Sequence, residues 1–493
     1  MPFTLSKTRY CNAVQCPKML WLKQYKPEVF DDSVMNEAVL QTGNEVGDLA
    51  MGLFGDFVEV PYGDLNEMIQ TTEKLIHQKT SVICEASFSC EGLFCSVDIL
   101  KNLGRKQVEL YEVKSSTALH NIYIDDVSYQ VYVLTKLGYK VKRACLVHLN
   151  REYVRIKDLD LSELFTIEDL TEITSRNFYD VEENIACFRQ YMRKRKEPEQ
   201  KLGAQCFSPY ECGFWSHCSL TLPKPNVFDL KRTQLNTKTK LYDQGLISFA
   251  DLHSCGALGK QAAMQVNYEL EDIPDLIRRE SIHQYLQDIT YPLYFLDFES
   301  FQPAIPLYDY SSPYDQIPFQ YSLHYRKKKN GKLYHREYLA CPDEDPRRGL
   351  AEQLCRDIPL NVCVTAYNMT FEKGRIKELA QLYPDLADHL MDIHDHIVDL
   401  MIPFRNKDYY CKAMQGSYSI KYVLPALFPN NPALDYHNLE GIHHGGEASA
   451  AFSEMQHMPP EQLKTTKYNL LKYCELDTYA MVKVWEQLNE VIL

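Results

Sequence analysis

Twice in this chain an apolar, strand-like run carries acids where a strand would end, and the two occurrences lie far apart. The first is Ser96-Val97-Asp98-Ile99-Leu100, followed by Glu112-Val113-Lys114. The second is Tyr291-Pro292-Leu293-Tyr294-Phe295-Leu296-Asp297-Phe298-Glu299, followed much later by Tyr473-Cys474-Glu475-Leu476-Asp477. Short apolar runs bounded by turn signals and alternating with helical spacing call for sheets covered by helices. With 493 residues the chain exceeds what one core organises, so several domains are expected.

Three regions follow from the pattern. Residues 1–220 read as mixed α/β, with strands at 82–88 and around Asp98 and Glu112, and helical spacing near 35–54 and 126–137. Residues 221–285 read as a helical connector, with a turn in 241–248 between short helices. Residues 286–493 return to α/β, with strands at 291–299 and 362–367 and a helix over the last thirty or so residues. No apolar run is long enough to span a bilayer, and the first residues lack a signal-peptide pattern, so a cytoplasmic protein is expected.

Acidic residues number 67 against 53 Lys and Arg, a formal charge of −14. That total argues against coating nucleic acid by bulk electrostatics. It is compatible with local metal sites, whose ligands add negative charge. The basic runs 193–196 and 327–329 are read as solvated surface. Sixteen cysteines in a cytoplasmic chain are not a disulfide framework. Most, such as Cys145, Cys187 and Cys363, sit in apolar runs and are expected in the core.

At the first acidic set, the turn-like 101–106 would fold Asp98 and Glu112 together as a hairpin. Glu112 and Lys114, two apart on a strand, share a face and set a carboxylate beside an ammonium. Alone, such a string is equally an ordinary ion pair. Asp98 and Glu112 can hold Mg²⁺ or Mn²⁺, while Lys114 orients the attacking water or steadies the charge on phosphorus. At the second set, Asp297 and Glu299 share a strand face. Glu372 follows Asn368 at a strand-to-helix junction, and Tyr473 and Asp477 share a helix face. Asp399 competes with Glu372 for one ligand place. Carboxylates holding divalent metals beside a water-orienting lysine or tyrosine point to hydrolysis of phosphodiesters, and two such sets point to a nuclease.

The order Glu45, Asp98, Glu112-x-Lys114, Gln130 resembles the RecB-like branch of the PD-(D/E)xK nucleases. That resemblance implies a restriction-endonuclease-like domain with a core of Asp98, Glu112 and Lys114. Gln130 would position Lys114 or the substrate, and Glu45 would take the upstream metal-ligand place. Cys16, followed late by Cys206, Cys212 and Cys218, resembles the bracketing cysteines of iron–sulfur nucleases and implies a [4Fe–4S] cluster. The five-residue gaps depart from that pattern, and a zinc site, with or without His217, is the alternative.

Asp297, Glu299, Glu372, Tyr473 and Asp477 resemble the DnaQ-like DEDD exonucleases of the ribonuclease H-like superfamily, with Glu372 where that family usually has Asp. The whole chain is similar to a bacterial family that fuses these two domains. The expectation is a metal-dependent DNA exonuclease for repair, recombination or defence, its partner nucleic acid. RNA processing, or a nucleic-acid-binding scaffold with one decayed site, are the alternatives.

Overall fold

The computed structural model describes residues 5–34, 37–256 and 258–493. Residues 35 and 36 of the helical stretch expected near 35–54 therefore lie outside the described residues. The chain forms two α/β units, each with its own mixed sheet. The first comprises Met1–Leu222 with Pro303–Asp315, and the second comprises Pro223–Gln302 with Gln316–Leu493.

The sheet of the first unit is built from β1 (Leu5–Ser6), β2 (Val58–Glu59), β3 (Val82–Cys90), β4 (Leu93–Gly104), β5 (Gln107–Lys114), β6 (Lys140–Leu149) and β7 (Phe165–Asp169). The order is β2-β3-β4-β5-β6-β7, with β1 also pairing β4. β4 runs through most of the stretch read as a turn, and the hairpin closes over Arg105 and Lys106 alone. Both have positive φ, 50° and 57°, the twist a two-residue hairpin turn needs. Along β5 the side chains alternate. Leu110 packs with Tyr129 and Val133 of the helix Asn121–Lys136, whereas Tyr111 packs with Val46 and Ala50 of the helix Glu37–Met51. The sheet is thus covered by helices on both faces.

Residues 303–315, which leave the second unit between two of its strands, belong to the first. Arg155 N–H donates to Ser311 O at 3.0 Å, Tyr310 N–H to Arg155 O at 2.8 Å, and the Tyr314 hydroxyl to Ser115 O at 2.6 Å. Ala304 packs with Tyr153 and Leu164.

In the second unit β8 (Leu276–Ile277) pairs with β14 (Tyr409–Tyr410), apart from the main sheet. The main sheet contains β9 (Leu293–Phe301), β10 (Ile317–Arg326), β11 (Leu333–Leu339), β12 (Cys363–Ala366) and β13 (Ile397–Asp399), in the order β11-β10-β9-β12-β13. β9, β10 and β11 are antiparallel neighbours, while β12 runs parallel to β9 and β13 parallel to β12. Leu293 and Phe295 face the long C-terminal helix Pro460–Glu490. Tyr294, Leu296 and Phe298 face a layer containing Leu350, Ile376 and Ile393 from three other helices.

The helical stretch expected as a separate connector joins the second unit instead. Val227, Leu230, Leu241, Phe249, Leu252 and Val266 make a small core of their own. Tyr268 and Ile282, however, pack into the larger core beside Tyr410 and Leu424, and the β8–β14 pairing fastens the stretch there. Cys145 and Cys363 are buried as expected, but Cys187 is exposed. Its helix Phe178–Met192 buries Val181, Ile185, Phe188 and Met192, which leaves Cys187 on the other side. Among the described residues, no helix is long and apolar enough to cross a membrane.

Candidate active sites

In the first unit the β4–β5 ladder pairs Ile99 with Tyr111, so Asp98 and Glu112 meet one step beyond it, where the strands part. Asp98 Oδ2 accepts the Val113 N–H at 2.7 Å. Glu112, fully buried, gathers donors from three elements: Lys7 Nζ at 2.8 and 3.0 Å, Lys114 Nζ at 2.6 Å and Gln130 Nε2 at 2.6 Å. Lys7 Nζ also reaches Asp98 Oδ1 at 3.3 Å. An ammonium therefore bridges the two carboxylates where a divalent cation would sit.

Asp126 was not anticipated. It accepts from Lys114 Nζ at 2.8 Å and from Gln130 Nε2 at 3.0 Å. It lies four residues before Gln130 on one helix, so helical spacing could have found it. Lys7 carried no such signal. Glu85, between the Cys84–Ile99 and Ala86–Val97 pairs, has a φ of 55° and accepts from Ser96 Oγ at 3.0 Å.

Burial would raise the Glu112 carboxyl, but the Lys114 and Lys7 ammoniums outweigh it and hold Glu112 below its ordinary range. Burial and the Glu112 charge push Asp98 up to about 7 against the pull of Lys7. Glu112 is thus held toward its ionised form and Asp98 toward its protonated one. The structure brings Asp98, Glu112, Lys114 and Gln130 together. Glu45 it leaves apart: exposed, hydrogen-bonded to Gln41 at 3.1 Å, on a helix whose buried side packs with Ile99 and Tyr111 on the opposite sheet face.

Cys16, Cys206, Cys212 and Cys218 line one small cavity of the same unit. Gln15 Nε2 donates to Gln205 O at 2.8 Å and Tyr210 O at 2.7 Å, which draws the N-terminal helix to the late cysteines. Gly213 is required there, because a Cβ would lie 2.5 Å from the Phe30 ring. Burial raises the Cys206, Cys212 and Cys218 thiols, Cys206 to about 11. His217 is turned to Glu197, its Nε2 at 3.0 Å from Oε1.

In the second unit Asp297 and Glu299 project from β9 toward the C-terminal helix, as period-2 geometry requires. One ligand atom from each lies within 4.8 Å of the other and of Cys474 Sγ. The Asp477 Oδ1 accepts the Tyr436 hydroxyl at 2.6 Å, a partner the spacing did not suggest. Tyr473 is buried one turn away and helps to hold the Asp477 carboxyl down. Gly445 lies close enough that a Cβ would come 3.4 Å from Glu299 Oε2.

Glu372 is buried and, among the described residues, its Oε2 has no hydrogen-bond partner. Asp399 is committed elsewhere: its Oδ1 accepts the N–H groups of Asn368 at 2.9 Å and Met401 at 3.0 Å. It holds the turns after β12 and β13, whereas Glu372 makes no such bond through Oε2.

Burial comes first in raising all four acids. Asp297 and Glu299 are pushed well above the usual range, aided by Asp477. Glu372 rises to about 8, aided by Asp399. Asp477 stops at about 6, because the Tyr436 hydrogen bond, Lys421 and Tyr473 oppose the rise.

The family described as a domain of unknown function (DUF2779) matches residues 294–419, which span β9 to β14. No curated protein matches the chain.

Proposed function

We propose that this chain is a metal-dependent nuclease, a DNA exonuclease with two phosphodiester-hydrolysing sites. The observation that carries the reading is the second site, where Asp297, Glu299, Glu372 and Asp477 crowd together with their ionisation suppressed. Such a set is held in place by the fold and completed by cations. A five-stranded mixed sheet whose central strand bears the first two acids supports the ribonuclease H-like, DnaQ-like reading of the second unit. An acid on one hairpin strand, Glu-x-Lys on the next and a helical Gln bonded to that Glu support the RecB-like reading of the first.

Divalent ions held by Asp98 and Glu112, and by Asp297, Glu299 and Asp477, would neutralise the scissile phosphate and ease deprotonation of the attacking water. Carboxylate oxygens are the donors Mg²⁺ and Mn²⁺ prefer; at the first site the cation would displace the Lys7 ammonium from between Asp98 and Glu112, and at the second Cys474 Sγ stands beside Asp297 and Glu299. At the first site Lys114, fixed between Glu112 and Asp126, aims an ammonium at the charge that develops on phosphorus. Gln130 holds Glu112 and Asp126 in register. At the second, Tyr473 orients water and Tyr436 holds Asp477.

The four cysteines are assigned to a structural [4Fe–4S] cluster. What supports this assignment is that all four cysteines line one cavity, where the N-terminal segment meets residues 206–218.

The test is digestion of end-labelled single- and double-stranded DNA, with matched RNA, by wild type, Lys114→Ala and Asp297→Ala in Mg²⁺ and in Mn²⁺. Each substitution is expected to remove one activity and leave the other. Loss of all cleavage from either one, in a folded protein, would overturn the two-site reading. Preference for RNA would redirect the substrate assignment.

A further inference from the structure

Three groups that the nuclease reading does not use meet where the C-terminal helix crosses β10 and β11. His324 and His335 are cross-strand partners, and their ring centroids lie 4.5 Å apart. Glu475 reaches them from the helix, and one ligand atom from each of the three lies within 4.8 Å of the other two. His335 Nδ1 is 4.0 Å from Glu475 Oε1. The other Glu475 oxygen is held by Lys472 Nζ at 2.6 Å, which leaves Oε1 facing the imidazoles.

Two hydroxyls behind the rings decide where the protons lie. His335 Nε2 is 2.9 Å from Ser322 Oγ, Ser322 Oγ is 2.6 Å from Thr478 Oγ1, and Thr478 Oγ1 is 2.8 Å from His324 Nδ1. Thr478 donates its one proton to Glu475 O at 3.2 Å. With the Thr478 proton so placed, Ser322 donates to Thr478 and both ring nitrogens that face the hydroxyls serve as N–H donors. The lone pairs are left on His335 Nδ1 and His324 Nε2. Two imidazole lone pairs beside a carboxylate oxygen repel one another unless a cation lies between them. Hydrogen bonds that fix the tautomer from behind are what metal-bound histidines receive.

We propose that His324, His335 and Glu475 form a three-ligand site for a divalent transition metal of the zinc class, which clamps the helix segment bearing Tyr473 and Asp477 to the β10–β11 hairpin. Two imidazoles and one carboxylate select such an ion over Mg²⁺ or Ca²⁺, which prefer oxygen. Tetrahedral ligands about 2.1 Å from zinc stand about 3.4 Å apart, so the 4.0 Å gap closes with a small side-chain adjustment. His324 is buried, but His335 and Glu475 keep 24% and 32% of their side-chain surface and give the ion a way in.

The full chain, His335→Ala and the nearly isosteric Glu475→Gln should each be equilibrated with zinc in excess Mg²⁺, and bound zinc then counted. Each variant is expected to hold one equivalent fewer than wild type. Zinc should raise the melting temperature of wild type and raise that of the variants less. Equal zinc content in wild type and both variants would overturn the site. Zinc held at the cysteines or at Asp297 is common to all three proteins and cancels in the difference. The count needs no cleavage, so it stands or falls apart from the nuclease reading.

Discussion

The two acidic sites solve the same electrostatic problem in opposite ways. In the first unit three carboxyls, Asp98, Glu112 and Asp126, are met by the Lys7 and Lys114 ammoniums at hydrogen-bond distance. In the second, Asp297, Glu299, Glu372 and Asp477 are opposed chiefly by Lys421 and Arg375, acting through space. The first site carries its counter-charge in the fold, whereas burial holds the acids of the second toward their protonated forms. The chemistry proposed for both sites would therefore rest on different foundations: one site is tied to the stability of its unit, and the other works against it.

The largest expected effect follows directly. Glu112→Ala takes the shared carboxylate from two half-buried ammoniums, leaving Lys7 only Asp98 and Lys114 only Asp126, and should destabilise the first unit by up to about 3–5 kcal/mol. Asp297→Asn removes one of four crowded acids and, without metal, should stabilise the second unit by roughly 0.5–2 kcal/mol. Peptide-resolved hydrogen exchange reads the units separately, which a single unfolding transition would not. Equal destabilisation by the two substitutions would erase the contrast.

Next is Tyr473→Phe, which keeps the ring and loses the hydroxyl beside Asp477. Activity of the second site should fall on the order of 10–1,000-fold, with metal affinity nearly unchanged. Because Lys114 is the first site's counterpart to Tyr473, the activity of the first unit should not move. Assays in a Lys114→Ala background isolate the effect, and a rate near wild type would reduce Tyr473 to a packing residue.

What could be read from the sequence divides along physical lines. Local spacing paired Glu112 with Lys114, Asp297 with Glu299 and Tyr473 with Asp477, and the hairpin reading paired Asp98 with Glu112. Gln130, and the joining of Asp297 and Glu299 to Tyr473 and Asp477, came only from the resemblance to known families. Lys7 lies 91 residues from Asp98, and Tyr436 lies 41 from Asp477. No local pattern encodes those meetings, which depend on how the sheet edge and the loops close. Glu45 has helical spacing that fits a site, but that spacing does not say which face of the sheet the helix covers. The helical stretch after Leu222 looked separate because its own small core is periodic. Its attachment rests on the two-residue strand Leu276–Ile277, too short to register as a pattern.

A smaller effect tests the contrast through pH. Asp477 and Glu372 are held at about 6 and about 8, above their ordinary values. Their contribution to the metal-free second unit is therefore full at low pH and is lost as pH rises through those values. Metal needs the ionised forms, so Mn²⁺ affinity should climb by about tenfold per pH unit between 6 and 8, with proton release. Glu112 has the opposite sign: its contribution is present above 4.5 and is lost as pH falls. Calorimetry of Asp98→Asn protein in buffers of different ionisation heat counts the protons, and a pH-independent affinity would contradict the proton-loaded picture.

The smallest effect is expected from Tyr436→Phe. Its hydroxyl is the one short hydrogen bond to Asp477 Oδ1, at 2.6 Å, among the described residues. A hydrogen bond to a charged group contributes about 1.5–3 kcal/mol, and part of that should be regained when metal takes the carboxylate. Losing the bond removes one of the forces that keep Asp477 from rising further, so its titration should move up. The rising limb of the second site's pH–rate profile should follow, while the rate at high pH stays within a few-fold of wild type. Tyr473→Phe should instead lower the plateau and move the limb less, because its pull on Asp477 is the weakest of the three. If Tyr436→Phe lowered the plateau as deeply as Tyr473→Phe, Tyr436 would be acting on the substrate or its water, and the assignment of the two tyrosines would have to be exchanged.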